Sequence, residues 1–268
     1  MVSVFGNKDL IALAHQLLSK GPVKTLPSSR RIRILINGTY IADTTQALYV
    51  WEHDRFPQYY VPLSSFKKDS WTKTESIDND DASLLRITAG DQSIERVIAF
   101  STSLDKHDKS DLIHALQGMA RVEFSSVDQW YEEDTPIYVH PKDPFKRVDI
   151  LHSTRPIRVL IHGVQVAAAT SSLHLYETTL PTRFYLPPTA VDAALLRPSN
   201  LVTQCPYKGD AEYHHVVVGD RILRDVVWYY KHPTLECGPI AGHLCFYNEK
   251  VDIELDGKLL ERPVTKFA

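Results

Sequence analysis

The chain repeats itself, and this duplication constrains the fold more than any other feature. Residues 26–38 (L-P-S-S-R-R-I-R-I-L-I-N-G) return as residues 151–163 (L-H-S-T-R-P-I-R-V-L-I-H-G). The match runs without a gap to residues 62 and 187, and 14 of these 37 positions are identical. A period near 125 residues predicts two copies of one domain, joined by a linker near residues 141–152, where Pro141-Lys-Asp-Pro144 breaks regular structure. The predicted divisions are a helix and lead-in (1–25), a first, degenerate β domain (26–139) and a second β domain (140–268).

Each copy begins with a pattern that is typical of a β-hairpin. Residues 32–38 alternate between two faces, and the I-N-G and I-H-G turns suit the left-handed backbone of a tight hairpin. Further strands are predicted at 95–101, 120–124, 213–218, 225–230 and 243–247. Too little helical periodicity remains to cover a parallel sheet. The sequence therefore predicts an all-β protein with two tandem antiparallel domains.

Two segments depart from this pattern. Between residues 8 and 19, apolar residues recur at helical spacing, and Gly21-Pro22 ends the run. This predicts a helix that docks over an exposed sheet edge or groove, since its polar face has too few cations for a membrane surface. Residues 67–83 are rich in Lys, Asp, Ser and Thr, which predicts a solvated loop.

Charge and cysteine content exclude several classes of partner. The net charge of −3 gives no long-range attraction to nucleic acid or to an anionic membrane. No stretch approaches the roughly 20 apolar residues of a membrane span, and the first residues lack a secretory-signal pattern. The cysteines Cys205, Cys237 and Cys245 form no C-x-x-C pair. We therefore expect a cytoplasmic protein without a disulfide framework, metal or other cofactor, with Cys237 and Cys245 in the core.

The second copy carries a reactive segment that the first copy lacks. Cys205-Pro-Tyr207-Lys208-Gly209 places a thiol, a phenol and an ammonium on one stiff turn. A nearby ammonium lowers the pKa of a thiol, although Cys205 could instead pack inward as a small apolar residue. Glu177 lies among aromatic residues, where burial favours a general acid or base. The catalytic candidates are Lys208, Glu177, Tyr207 and Cys205, and an ion pair between Glu177 and Lys208 is a further hypothesis.

Aromatic and imidazole side chains near this segment are candidates for substrate binding. Tyr213 and His215 share one face of a predicted strand. Trp228 and Tyr229 follow on another strand, and Tyr185 lies close to Glu177 in sequence. Each of these side chains could equally fill the core.

Several longer motifs of the chain carry a family resemblance. They are R-V-L-I-H-G (158–163), L-Y-E-T-T-L-P-T-R-F-Y-L-P (175–187), C-P-Y-K-G (205–209), W-Y (228–229) and I-A-G-x-x-x-F-Y-x-x-x-V-D (240–252). In these motifs the chain resembles domain-of-unknown-function family 427 in its tandem form. The resemblance implies a β-tent-like fold of small, strongly bent antiparallel sheets. Many β-tent proteins bind zinc through two C-x-x-C knuckles, which this chain lacks. The family is sometimes labelled nucleotidyltransferase-like, but the chain has no Gly-rich phosphate loop and no paired-Asp signature.

These features lead to one preferred function and one alternative. The preferred function is an enzyme that transforms a small molecule by acid–base chemistry in an aromatic-lined pocket of the second domain, with specialised metabolism as one possible setting. Elimination, isomerisation, cyclisation and hydrolysis remain open as reactions, without metal or nucleotide. The alternative is a non-catalytic module that binds a small molecule or a protein. A homodimer is left open, and a redox role for Cys205 lacks a nearby resolving cysteine.

Overall fold

The protein is built from two compact units with the same sheet architecture. A computed structural model describes residues 8–104 and 110–265. The chain divides into Met1–Asp143 and Pro144–Ala268. Each unit contains one seven-stranded and one four-stranded sheet, and all strand pairs within them are antiparallel. This confirms the all-β, tandem, antiparallel fold with an N-terminal helix.

The helices and strands follow in chain order. The first unit contains α1 (Lys8–Lys20), β1 (Lys24–Pro27), β2 (Ile32–Ile36), β3 (Thr39–Thr44), β4 (Leu48–Trp51), β5 (Gln58–Pro62), β6 (Trp71–Ile77), β7 (Ala82–Ala89), β8 (Gln92–Phe100), α2 (Asp111–His114), β9 (Met119–Val122), β10 (Gln129–Glu132) and β11 (Thr135–Ile137). The second unit contains β12 (Val148–Ser153), β13 (Ile157–Ile161), β14 (Val164–Ala169), β15 (Ser172–Glu177), β16 (Arg183–Leu186), β17 (Leu196–Cys205), β18 (Gly209–Val218), β19 (Arg221–Tyr230), β20 (Leu244–Phe246), β21 (Asp252–Leu255) and β22 (Lys258–Leu259). Neither described helix has the length and apolarity that a membrane crossing needs.

The strand orders of the two units correspond one to one. The seven-stranded sheets run β1-β4-β5-β9-β8-β7-β6 and β12-β15-β16-β20-β19-β18-β17. The four-stranded sheets run β3-β2-β10-β11 and β14-β13-β21-β22. In each unit a large apolar core includes residues of both sheets. The duplication therefore holds at the level of topology as well as sequence.

The two predicted hairpins form where the sequence places them. Asn37 and Gly38 have φ angles of 48° and 66°, and His162 and Gly163 have 51° and 79°. Positive φ at both central residues is the geometry of a tight hairpin whose twist matches that of its strands. The turns connect β2 to β3 and β13 to β14.

Helix α1 covers one face of the large sheet of the first unit. Its buried side chains are Leu10, Ala14, Leu17 and Leu18. They belong to one apolar cluster with sheet residues Val50, Tyr60, Ile98 and Phe100. The prediction of a docking helix is therefore confirmed, but α1 covers a face of the sheet rather than an edge or groove. We call this side of the sheet, defined by these four sheet residues, the covered face.

The prediction of a loop over residues 67–83 is wrong for residues 71–77 and 82–83, which form strands. Trp71–Ile77 forms β6, which pairs with β7 at the edge of the sheet. The five residues between Trp71 and Ile77 are all exposed. An edge strand that faces solvent on both sides has no apolar period, so its composition resembles that of a loop.

Candidate functional site

A row of buried side chains crosses the large sheet of the second unit. Tyr185 pairs with Cys245, Cys245 with Trp228, and Trp228 with Tyr213. Residues directly opposite one another on neighbouring antiparallel strands share a face of the sheet. The indole Nε1 of Trp228 donates to the hydroxyl of Tyr185 at 3.1 Å. We call this side of the sheet, defined by these four residues, the site face.

The C-P-Y-K-G segment forms the hairpin turn between β17 and β18. Cys205 and Gly209 are paired across it, and Gly209 has a φ of 99° that favours glycine. From this turn, Lys208 Nζ reaches Glu177 Oε2 at 2.5 Å. The side chains of Lys208 and Glu177 are 12% and 8% exposed. The hypothesis of a Glu177–Lys208 ion pair is confirmed.

The position of Glu177 shows how far the hairpin extends over the sheet. Glu177 ends β15, and three strands separate β15 from β18 in the sheet order. A lysine on the β17–β18 turn can reach that far only if the sheet bends and the turn folds over the site face. The ion pair therefore closes across this face.

Electrostatics keep the groups of the site in defined protonation states. Burial acts to lower the pKa of Lys208, but the negative charges of Cys205 and Glu177 outweigh it, so the pKa is raised. Burial, followed by the neighbouring thiolates and phenolates, holds the pKa of Tyr185 and of Tyr230 well above the usual range. At neutral pH the site thus presents an ammonium and protonated phenols. Cys205 is half-buried beside them.

A second ion pair lies on the site face and was not found by sequence reasoning. Arg183 donates to both carboxylate oxygens of Glu249, at 2.6 and 2.7 Å. The guanidinium lies 5.4 Å from the ring centre of Trp228. Thr265 also donates to Glu249, at 2.7 Å. Arg183 lies inside a motif of the resemblance, but no spacing relates it to the distant Glu249.

Three candidate residues lie in other surroundings. Tyr229 packs against the core between the sheets, and its hydroxyl donates to Glu212 at 2.6 Å. At a β-bulge, His215 Nδ1 accepts from the backbone amide of Asp225 at 3.0 Å. Tyr207 is buried within the hairpin turn. The structure brings Lys208, Glu177, Cys205, Tyr185, Tyr213 and Trp228 to one face, whereas Tyr229 lies on the opposite one.

The equivalent row in the first unit has a different chemistry. There Tyr60 pairs with Arg121 and Arg121 with Ile98, so Arg121 occupies the position of Cys245. Arg121 Nε donates to Glu52, the counterpart of Glu177, at 2.9 Å, and the hydroxyl of Tyr60 donates to the same oxygen at 3.1 Å. This carboxylate is therefore satisfied on the covered face without a lysine or a thiol.

All three cysteines of the chain lie in the second unit. No disulfide joins the three cysteines, and Cys237 and Cys245 are buried, which confirms their expected place in the core. Within residues 8–104 and 110–265, no three His, Cys, Asp or Glu side chains are grouped so that they could hold a metal ion.

The protein is thus an all-β protein of two repeated units, the second of which carries a buried lysine–carboxylate pair. A family model described as a domain of unknown function, DUF427, matches residues 24–133 and again residues 149–257. The chain therefore belongs to the DUF427 family, with two tandem copies of its domain. A comparison with curated proteins gives no match.

Proposed function

We propose that the second unit transforms a small molecule by acid–base chemistry on its site face. Lys208 acts as the proton donor, and Glu177 as its carboxylate partner and proton acceptor. The observation that carries this proposal is the buried Lys208–Glu177 pair beside the thiol of Cys205. Elimination, isomerisation, cyclisation and hydrolysis all proceed through such proton transfers.

The contrast between the two units supports a chemical role for the second. Glu52 is paired with Arg121, whose guanidinium does not lose its proton in proteins. Glu177 is paired with a lysine, whose ammonium, unlike a guanidinium, can donate its proton to a strongly basic oxyanion or carbanion. The same carboxylate position is thus fixed in the first unit and able to exchange protons in the second.

Each group on the site face has a role that fits its protonation state. Because its pKa is raised, Lys208 is an ammonium at neutral pH and can stabilise a developing oxyanion before it donates. Glu177 accepts a proton from the substrate or returns one to Lys208. Cys205 lies close enough to this ammonium for its thiolate to raise the pKa of Lys208. It is therefore the candidate nucleophile.

The charge balance of the site face favours a neutral, flat substrate. Lys208 is paired with Glu177, and Arg183 with Glu249. A charged ligand would have to separate one of these buried pairs, which is costly. The buried rings of Trp228 and the tyrosines would surround such a ligand with flat apolar groups, which suits an aromatic or unsaturated body. The absence of a disulfide also favours a reducing compartment, and we place the enzyme in the cytoplasm.

Product formation from a panel of neutral carbonyl and unsaturated compounds, followed by mass spectrometry, tests this proposal. For any compound that the wild-type protein converts, we expect Lys208→Ala and Glu177→Gln to lower turnover by about 100-fold or more, as general acid–base groups do. Lys73→Ala is the matched control, because Lys73 pairs with Asp80 beside the equivalent turn of the first unit. Equal turnover by all four proteins would remove the pair from the chemistry.

The alternative, a non-catalytic binding module, has one observation in its favour. The polar groups of the site face satisfy one another, as in Arg183 with Glu249, and such a network can serve to fix the shape of a binding surface. Alkylation of Cys205 discriminates between the two functions. A thiol that reacts at pH 7 much faster than free cysteine supports catalysis, whereas an inert thiol together with ligand-induced thermal stabilisation supports binding.

A further inference from the structure

The two units cover their equivalent faces with different elements. In the first unit, α1 lies on the covered face. None of the described residues of the second unit forms an α-helix. Instead, the β17–β18 hairpin that folds over the site face is longer. Four residues (78–81) separate the paired Ile77 and Ala82, whereas seven (204–210) separate the equivalent pair Thr203 and Ala211. The longer hairpin therefore takes the place that α1 has in the first unit.

Thr234 makes two hydrogen bonds to the backbone of this hairpin. The amide of Thr234 donates to the carbonyl of Lys208 at 3.1 Å. Its hydroxyl donates to the carbonyl of Tyr207 at 2.6 Å, and the thiol of Cys237 donates to the same oxygen at 3.4 Å. Thr234 precedes the 3-10 helix Leu235–Ile240, yet its hydroxyl does not cap that helix. The usual capping bond is thus given up for a bond to the hairpin.

The first unit has a matching contact at the same place. Ser110 precedes α2 as Thr234 precedes the 3-10 helix, and each of these segments lies between the equivalent strand pairs β8–β9 and β19–β20. A Cβ on Gly21, which follows α1, would lie 3.5 Å from Ser110 Oγ. A Cβ on Gly209 would lie 3.6 Å from the Thr234 amide nitrogen. In both units a glycine of the covering element therefore packs against this helical turn.

We propose that Thr234 is a positioning residue that latches the Cys205–Gly209 hairpin over the site face. Its two hydrogen bonds hold the backbone of Tyr207 and Lys208, so that the lysine side chain reaches Glu177 and stays beside Cys205. The effect of the latch on catalysis rests on the proposed function, but the hydrogen bonds of Thr234 can be tested separately. Without the latch, the ammonium is no longer held beside the thiol.

Hydrogen exchange and thiol alkylation of the full chain test this latch. In Thr234→Val, which keeps the shape and the amide but loses the hydroxyl, we expect the amide of residue 234 to exchange about fivefold faster, because one hydrogen bond has been lost. Alkylation of Cys205 by iodoacetamide at pH 7, located by peptide mass spectrometry, should slow by about threefold, because the ammonium of Lys208 is no longer held beside the thiol. Thr234→Ser should restore both readouts, and Ser110→Ala, the control in the first unit, should change neither.

Each outcome bears on the latch. Wild-type exchange in Thr234→Val, or a serine variant that behaves like the valine variant, would overturn it. The wild-type protein gives a test that needs no variant: a Thr234 amide as protected as those of β19 supports the latch, and one that exchanges like exposed chain removes it. The proposed function can be refuted without refuting the latch. If exchange changes as expected but Lys208→Ala keeps its turnover, the latch stands and Lys208 leaves the mechanism.

Discussion

Removing the lysine of the buried ion pair should destabilise the second unit strongly. In Lys208→Met the carboxylate of Glu177, 8% exposed, loses the ammonium that lies 2.5 Å away. Breaking a buried pair on one side costs about 3–5 kcal/mol, because the remaining charge stays in an apolar environment. Removing both charges, in Glu177→Leu with Lys208→Met, should recover most of this loss. Most of the lost unfolding free energy therefore comes from leaving the carboxylate of Glu177 buried without its ammonium partner.

The pH range of this effect follows from the direction of the lysine pKa. Folding raises the pKa of Lys208 above its ordinary value of 10.5. A base whose pKa is raised on folding contributes stability that is complete below its unfolded pKa and is lost as the pH rises through the folded value. Measurements at pH 7 therefore capture the whole contribution of the pair.

The assay must report on each unit separately, since two units need not unfold in one transition. Urea unfolding followed by hydrogen exchange of peptides from residues 144–265 meets this need. We expect the single variant to lower the unfolding free energy of these peptides by about 3 kcal/mol or more, and the double variant by about 1 kcal/mol. Lys73→Met is the control: its partner Asp80 is 66% exposed, so the change should stay within about 0.5 kcal/mol. A loss below about 1 kcal/mol in Lys208→Met would refute the reasoning.

Two further predictions concern the backbone of the hairpin and a buried imidazole. Gly209→Ala should cost about 1–3 kcal/mol in the second unit, because φ is 99° and the new Cβ would lie 3.2 Å from the carbonyl of His232. Gly219→Ala, with φ at 57° and open space around it, should cost less in the same urea titration. Burial, and then the charge of Arg155, lower the pKa of His174. The second unit should therefore lose stability as the pH falls below about 6.5, and His174→Phe should lose less between pH 6.5 and 5; an equal loss would contradict this.

The sequence predicted the fold wherever a local rule and the tertiary packing agree. The I-N-G and I-H-G hairpins, the duplication and α1 are examples. Residues 71–77 were missed because an edge strand exposed on both faces has no apolar period. Local pattern thus fails where a segment is held mainly by its pairing partner.

Part of the candidate site could also be read from the sequence. The pairing of Glu177 with Lys208 was accessible because the turn and the carboxylate are both distinctive. The bulge at His215 was not, since one extra residue in a strand interrupts the alternation on which faces are assigned. The pairing of Arg183 with Glu249 depends on a sheet that brings together residues 66 positions apart. No spacing rule reaches that distance.

Because α1 covers the first repeat, the folded unit of that repeat includes residues that precede the family match. The family match starts at residue 24, yet Leu10, Ala14, Leu17 and Leu18 complete the apolar cluster of that repeat. A fragment cut at the family boundary would present this cluster to water and to other chains. In the second repeat, the Cys205–Gly209 hairpin that covers the site face lies within the matched residues 149–257. A minimal single-repeat protein should therefore be derived from the second half, whereas the first half must keep the segment that precedes it.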